Sequence, residues 1–176
     1  MARVAGVDSS TQSVKIVVRD SETGAFIAES SRPHPAGTEV DPEQWWSALQ
    51  AVIEDIGGLQ SLAAISIAGQ QHGMVLLDET GKVIRKALLW NDTRSAPQAE
   101  ALNKAFPEIH KLTGSTLVAS FTASKVRWVY ENEPENAARV RAIALPHDWL
   151  SWKLSGSTKL EDCLLYTSDA ADDTPC

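Results

Sequence analysis

Val4-Ala5-Gly6-Val7-Asp8-Ser9-Ser10-Thr11-Gln12-Ser13-Val14-Lys15-Ile16-Val17-Val18 contains two short β-branched runs on either side of a polar turn. Val and Ile favour strands, whereas Ser, Asp and Gln interrupt them. The spacing predicts a β-hairpin whose tip holds backbone N–H groups, hydroxyls and one carboxylate. Such a tip suits the phosphates of a nucleotide. The amides and the Thr11 and Ser13 hydroxyls can donate to phosphate oxygens, while Asp8 would act through Mg²⁺ or its waters. An ordinary Ser/Thr-rich hairpin has the same appearance. The chain contains no G-x-x-x-x-G-K-[ST] segment, so a Walker-type loop is not available.

Outward from this hairpin, Asp20–Gly24 reads as a second turn and Phe26–Ser30 as a third strand, giving an antiparallel meander. Asp41-Pro42-Glu43-Gln44 is a helix start, with Asp41 able to cap and Pro42 suited to the first turn. Trp45, Leu49, Val52, Ile53 and Ile56 then share one helical face, read as core, and Gly57-Gly58 ends the helix. Leu62–Gly69 is mostly apolar and predicts a strand covered on both faces. A hairpin is expected at Val75–Leu77 and Val83-Ile84 across a turn at 78–81. Helices are expected near Ala96–Phe106, Glu108–Leu112, Ser124–Glu133, Pro134–Val140 and His147–Leu154, with a strand at Ala142–Leu145. Meander, helix, then buried strand is the order of an RNase H-like α/β unit.

The 176 residues suffice for a domain with a real core, and 43% apolar content marks a globular chain. The net charge of −7 argues against a nucleic-acid binder. Much of that charge sits at Glu161, Asp162, Asp169, Asp172 and Asp173, and the remainder is nearly balanced. No apolar run approaches a membrane span, and no leader segment is apparent, so neither membrane nor nucleic acid is an expected partner. Cys163 and Cys176 both lie near the end, which argues against a disulfide scaffold and for a cytoplasmic setting.

Gly69-Gln70-Gln71-His72-Gly73 follows the predicted strand, at the edge where α/β sheets collect ligands. The glycines would let backbone approach a small molecule closely. Gln71 supplies an amide and His72 an imidazole, a pair suited to a polyhydroxylated substrate. A glycine-bounded turn with a locally satisfied histidine is the plainer alternative. Trp90-Asn91-Asp92-Thr93-Arg94 reads either as a helix entry, capped by Asp92 or Thr93 with Arg94 ion-paired nearby, or as a wall of a sugar pocket. Lys15 and Lys125 are read as structural. His34, His110 and His147 are read as surface or capping residues.

Asp8, Thr11 and Lys15 resemble the Asp-x-Gly-Thr-x-x-x-Lys phosphate loop of the actin-like ATPases, with Ser10 in the place of Gly. Gly-Gln-x-His-Gly, followed by Leu89-Trp90-Asn91-Asp92-x-Arg94, resembles the xylulokinase branch of the FGGY carbohydrate kinases. Asp41–Trp46, Phe121–Lys125 with Trp128-Val129, and Leu145–Leu150 extend the similarity over about residues 2–160. Glycerol kinases carry an Arg-Glu pair in place of Gln71-His72, which favours a ketopentose. The resemblance implies ATP-dependent phosphorylation of D-xylulose to D-xylulose 5-phosphate, with Mg²⁺. It implies that Gln71 and His72 hold the sugar. It also implies that Asp8 acts catalytically through a water-held metal, and that Thr11, Gln12 and Ser13 lie along the phosphates. The family's base is an aspartate in a Gly-Gly-Gly-Asp-like segment, which this chain lacks. Residues 1–160 are therefore expected to be an incomplete N-terminal kinase domain, inactive alone and partnered by a missing C-terminal domain. Residues 161–176 are expected to be a disordered or foreign tail. A stand-alone sugar- or nucleotide-binding module is the other reading.

Overall fold

A computed structural model of the chain describes residues 2–156. The expectations for 161–176 and for Cys163 and Cys176 lie outside the described residues. In chain order the elements are β1 (Arg3–Ser9), β2 (Ser13–Asp20), β3 (Phe26–Pro33), β4 (Glu39–Val40), α1 (Pro42–Asp55), β5 (Leu62–Gly69), β6 (Val75–Leu77), β7 (Ala87–Leu88), α2 (Ala96–Ala105), α3 (Ile109–Thr113), α4 (Thr122–Asn132), α5 (Pro134–Arg139), β8 (Ala142–Ala144) and α6 (Pro146–Ser155). They fall into two compact units. The first comprises the chain up to Ala36, Pro42–Gln70 and the segment from His147; the second comprises Gly37–Asp41 and Gln71–Pro146.

The first unit is built on the predicted meander. Its sheet runs β3-β2-β1-β5, with β1 antiparallel to β2 and parallel to β5. Val7 sits opposite Ile16 on one side and Ile67 on the other, so period-two alternation sends these side chains to one face. Ala5, Val7, Val14, Ile16, Val18 and Ile67 are buried there. The α1 helix packs on β2 and β3 and buries Trp45, Leu49 and Val52. Full burial of an apolar side chain of the size of Leu49 or Val52 stabilises by about 1.5–3 kcal/mol. Gly57 N–H donates to the Glu54 carbonyl (3.0 Å) and Gly58 N–H to that of Ile53 (2.9 Å). Both glycines have positive φ, so α1 ends in a Schellman motif. In α6, Trp149 and Leu150 are buried. The Lys153 ammonium lies 5.3 Å from the Trp46 and Trp149 ring centroids and 3.2 Å from Glu43.

Two expectations need correction. The β5 strand is not covered on both faces among the described residues: Ala63, Ala64, Ser66 and Ala68 are exposed, and only Ile67 is buried. Its exposed positions are three alanines and a serine, small side chains that carry little burial energy and tolerate an open face. The second arm of the hairpin at 75–84 is not a strand. A single bridge joins Leu77 to Val83, and β6 pairs with β8 instead. The Asp78 carboxylate binds the Thr80 and Lys82 amides and closes a tight turn there.

In the second unit β4 pairs with β7 and β6 with β8, both antiparallel. Met74, Leu76, Leu88, Val129 and Ala137 form its core, with Ile84, Val126, Trp128 and Val140 packed against them. The helices after Asp92 fall where the sequence places them, within two residues at each end. Strands and helices mix within one α/β fold, as expected. No helix among the described residues is long and apolar enough to cross a membrane.

Candidate functional site

The phosphate-type hairpin belongs to the first unit. Asp8 is the penultimate residue of β1, opposite Lys15 and Ala68. Its carboxylate is exposed and has no hydrogen bond or ion pair among the described residues. Lys15 is turned to Glu29 (3.0 Å), a structural ion pair. The tip is more occupied than the sequence suggests. Ser10 N–H donates to the Ser13 carbonyl (2.9 Å), and Ser10 Oγ donates to the same oxygen (3.1 Å). Thr11 Oγ1 donates to Gln70 Oε1 (3.4 Å). A phosphate at this tip must therefore displace or share the Thr11 bond, and the Ser10 amide is already spent inside the turn. Gln12 is exposed and Ser13 half-buried.

Two further residues, Gln70 and His34, brace this tip. Gln70 is buried, and its N–H donates to the Ser9 carbonyl (2.9 Å). Its Nε2 is buried without a partner among the described residues. His34, expected as a surface or capping residue, is buried. Its Nδ1–H donates to the Ser10 carbonyl (2.8 Å), and its backbone N–H donates to that of Gln12 (2.7 Å). Burial pushes the His34 imidazole below its ordinary pKa, partly opposed by the Ser10 bond. His147, likewise expected as a surface or capping residue, is buried beside Gly69. Burial lowers its pKa, opposed by Asp148, whose Oδ1 lies 3.4 Å away without hydrogen-bond alignment. The only signal for either histidine is its neighbour: Pro33 and Pro35 fix the chain around His34, and Pro146 starts the helix that seats His147. His110 is exposed, as expected.

The Gly69–Gly73 segment is divided between the units after Gln70. The glycines serve packing. A Cβ on Gly69 would stand 3.0 Å from His147 Cβ, and one on Gly73 would stand 2.5 Å from Pro146 Cγ. In the second unit Gln71 and His72 are half-buried. His72 has φ of 59°, the one positive value at a non-glycine among the described residues. Its ring lies against Phe121, centroids 4.6 Å apart and planes at 33°. Burial, and second the Lys125 charge, lower the His72 pKa, so the imidazole is neutral near pH 7. A neutral imidazole can donate from one nitrogen and accept at the other, as an alternating array of sugar hydroxyls requires.

The Trp90–Arg94 segment takes its plainer reading with a changed detail. Neither Asp92 nor Thr93 is the N-cap of α2; Ser95 holds that place without a side-chain cap bond. Ser95 Oγ instead donates to the Ala119 carbonyl. The buried Asp92 carboxylate accepts from Arg94 N, Nε and Nη2. Burial pushes the Asp92 pKa up, but the Arg94 bonds outweigh it and hold the group below its usual range. Arg94 also pairs with Glu39 (2.9 Å) and stacks 5.0 Å from the Trp128 centroid.

No group of three or more His, Cys, Asp or Glu side chains among the described residues could cage a metal ion. The solitary, exposed Asp8 carboxylate fits a hydrated Mg²⁺ whose other ligands are waters and phosphate oxygens.

The FGGY family of carbohydrate kinases, N-terminal domain, matches residues 3–172. A xylulose kinase of Streptomyces coelicolor is 48% identical over 164 residues, 87% of this chain and 34% of that protein. One from Arthrobacter is 65% identical over 96 residues, 54% of this chain and 100% of that sequence. The crystal structure of xylulose kinase from Bifidobacterium adolescentis matches with a TM-score of 0.85 at 49% identity, covering 92% of this chain and 35% of that one. The chain thus spans about a third of the length of the Streptomyces and Bifidobacterium proteins.

Proposed function

This chain belongs to the FGGY family of carbohydrate kinases, and from that premise we propose that it supplies the sugar-holding and phosphate-lining third of an ATP-dependent D-xylulose kinase. FGGY sugar kinases have the actin-like ATPase fold, and the mixed sheet β3-β2-β1-β5 is this chain's part of it. In the proposed reaction the terminal hydroxyl of D-xylulose bonds to the γ-phosphorus of ATP as the bond to the ADP oxygen breaks. The hydroxyl proton passes to a base, and the products are D-xylulose 5-phosphate and ADP. Mg²⁺-ATP, when bound, supplies the phosphoryl group and the counter-charge that phosphoryl transfer needs. Asp8 orients the metal through water. Thr11, Gln12 and Ser13 line the phosphates. Gln71 and His72 hold the sugar hydroxyls. The proton-accepting aspartate comes from outside these 176 residues.

The observation that carries this reading is His72, half-buried against the Phe121 ring and one residue after the Gln71 amide. An imidazolium or an arginine would only donate, whereas a neutral imidazole beside Gln71 can match hydroxyls in both senses. The names of the relatives support the choice of ketopentose. The test is a titration of the chain with D-xylulose and with glycerol, followed by a coupled ADP-release assay. D-xylulose is expected to shift the His72 ring resonances and glycerol to leave them in place, with no sustained ADP release from the chain alone. Sustained turnover would refute an external base. Sugar binding that never yields product, even when the remaining two thirds of a relative is supplied, would favour a binding module without catalysis.

A further inference from the structure

The left-handed backbone of His72 has to be held by its surroundings, and the start of α4 holds it. Thr122 Oγ1–H donates to the His72 carbonyl (3.3 Å), and the Phe121 ring lies on the imidazole. Both side chains depend on a turn at 118–121 that is itself tied down from beneath. The Lys125 side chain is fully buried. Its ammonium donates to the Ala119 carbonyl (2.9 Å) and to that of Ser120. Ser124, also fully buried, donates to the Phe121 carbonyl (2.8 Å). A buried ammonium is costly where an apolar side chain of similar length would fill the same space. What the ammonium adds is a fixed turn and a positive charge close to His72.

We propose that Lys125 is a positioning residue for the sugar site: through the 119–121 turn it sets the plane of the Phe121 ring and, with Thr122, the backbone and ring orientation of His72. The inference rests on reading His72 as a sugar ligand, and it adds residues that the sequence assigned to structure alone. Electrostatics act in the same direction. The charged groups in play are Lys125 and, facing Lys125, Asp92, which Arg94 neutralises in turn. Burial lowers the Lys125 pKa to about 8, so the ammonium is still charged at neutral pH. A cation there disfavours a second cation on the imidazole. The site thereby keeps the donor-and-acceptor form of His72.

The test uses the isotope-labelled chain and follows the His72 ring by NMR, assigned with His72→Asn. Lys125→Met is expected to raise the His72 titration midpoint and to weaken the NOE between His72 and Phe121. Thr122→Val keeps the charge, so it is expected to weaken the same NOE while leaving the midpoint in place. A folded Lys125→Met protein with the parent's midpoint and NOE would overturn the proposal. If Lys125→Met does not fold, an unaltered NOE in Thr122→Val overturns it. The underlying site reading fails separately. If D-xylulose shifts no His72 resonance in the parent chain, His72 is not a sugar ligand, while the ring's support is still decided by midpoint and NOE.

Discussion

His72 is where the described chain departs from ordinary backbone geometry. A φ of 59° costs an L residue about 1–2 kcal/mol, least for Asn and Gly. His72→Asn is therefore expected to unfold in urea at nearly the parent midpoint while losing the D-xylulose response. His72→Val puts a β-branched side chain into the left-handed region, where it is less tolerated than His or Asn, and is expected to unfold at a lower urea midpoint than His72→Asn. Equal stability of the two variants would mean that the turn relaxes and carries no strain. Gly73→Ala forces a Cβ to 2.5 Å from Pro146 Cγ and is expected to cost about 1–3 kcal/mol. A midpoint shift of Gly73→Ala no larger than that of a surface substitution would refute this packing role. The residue type and place of His72 were legible in the sequence; its strain was not. Ser10 stands where the hairpin motif has Gly, yet it closes its turn with two bonds to the Ser13 carbonyl and has no positive φ. The contacts that hold His72 come from α4, far along the chain, and no local pattern encodes them.

Elements were legible in proportion to how much of their energy is local. The α1 helix has Pro42 in its first turn, buried residues at 45, 49 and 52, and a glycine pair at its end, so each signal agrees with the others. Trp45 is 1% exposed, and Trp45→Ala is expected to destabilise by about 3–5 kcal/mol. Gly57→Ala, at φ of 87° with open space around its Cβ, is expected to cost only about 1 kcal/mol. Chemical denaturation of the two proteins should rank them in that order, and the reverse order would mean that the helix terminus, not the core, secures α1. The pairs β4–β7 and β6–β8 went unread because each strand has two or three residues and a distant partner. Too few positions exist for a period of two to register. The β5 strand is a strand as read, but its expected cover on both faces is absent among the described residues, since alanines between Leu62, Ile65 and Ile67 look apolar whether or not anything covers them.

At the scale of the molecule, burial of histidine decides how stability follows pH. His34 and His147 in the first unit and His72 in the second all titrate below the ordinary histidine value of 6.5, with burial the leading cause in each. Unfolding returns each ring to 6.5 or near it. As the pH falls through about 6.5 the unfolded chain takes up these protons before the folded chain does, so acid favours unfolding. The contribution is full above 6.5, declines as the pH drops, and is gone below the folded midpoints. Asp20, Asp78, Asp92 and Glu131 are held below their ordinary values and lose their contribution lower still, below about 4. Urea midpoints measured from pH 8 to pH 5 are therefore expected to fall most between 6.5 and 5. His34→Gln keeps a donor for the Ser10 carbonyl but cannot titrate, and its curve is expected to be flatter than the parent's over that window. Lys125 has the same sign at the other end: folded near 8 against 10.5 unfolded, it makes stability rise with pH between those values, a slope that Lys125→Met should lack. A parent midpoint that is level from pH 7 to pH 5 would mean that these imidazoles meet water in the folded chain.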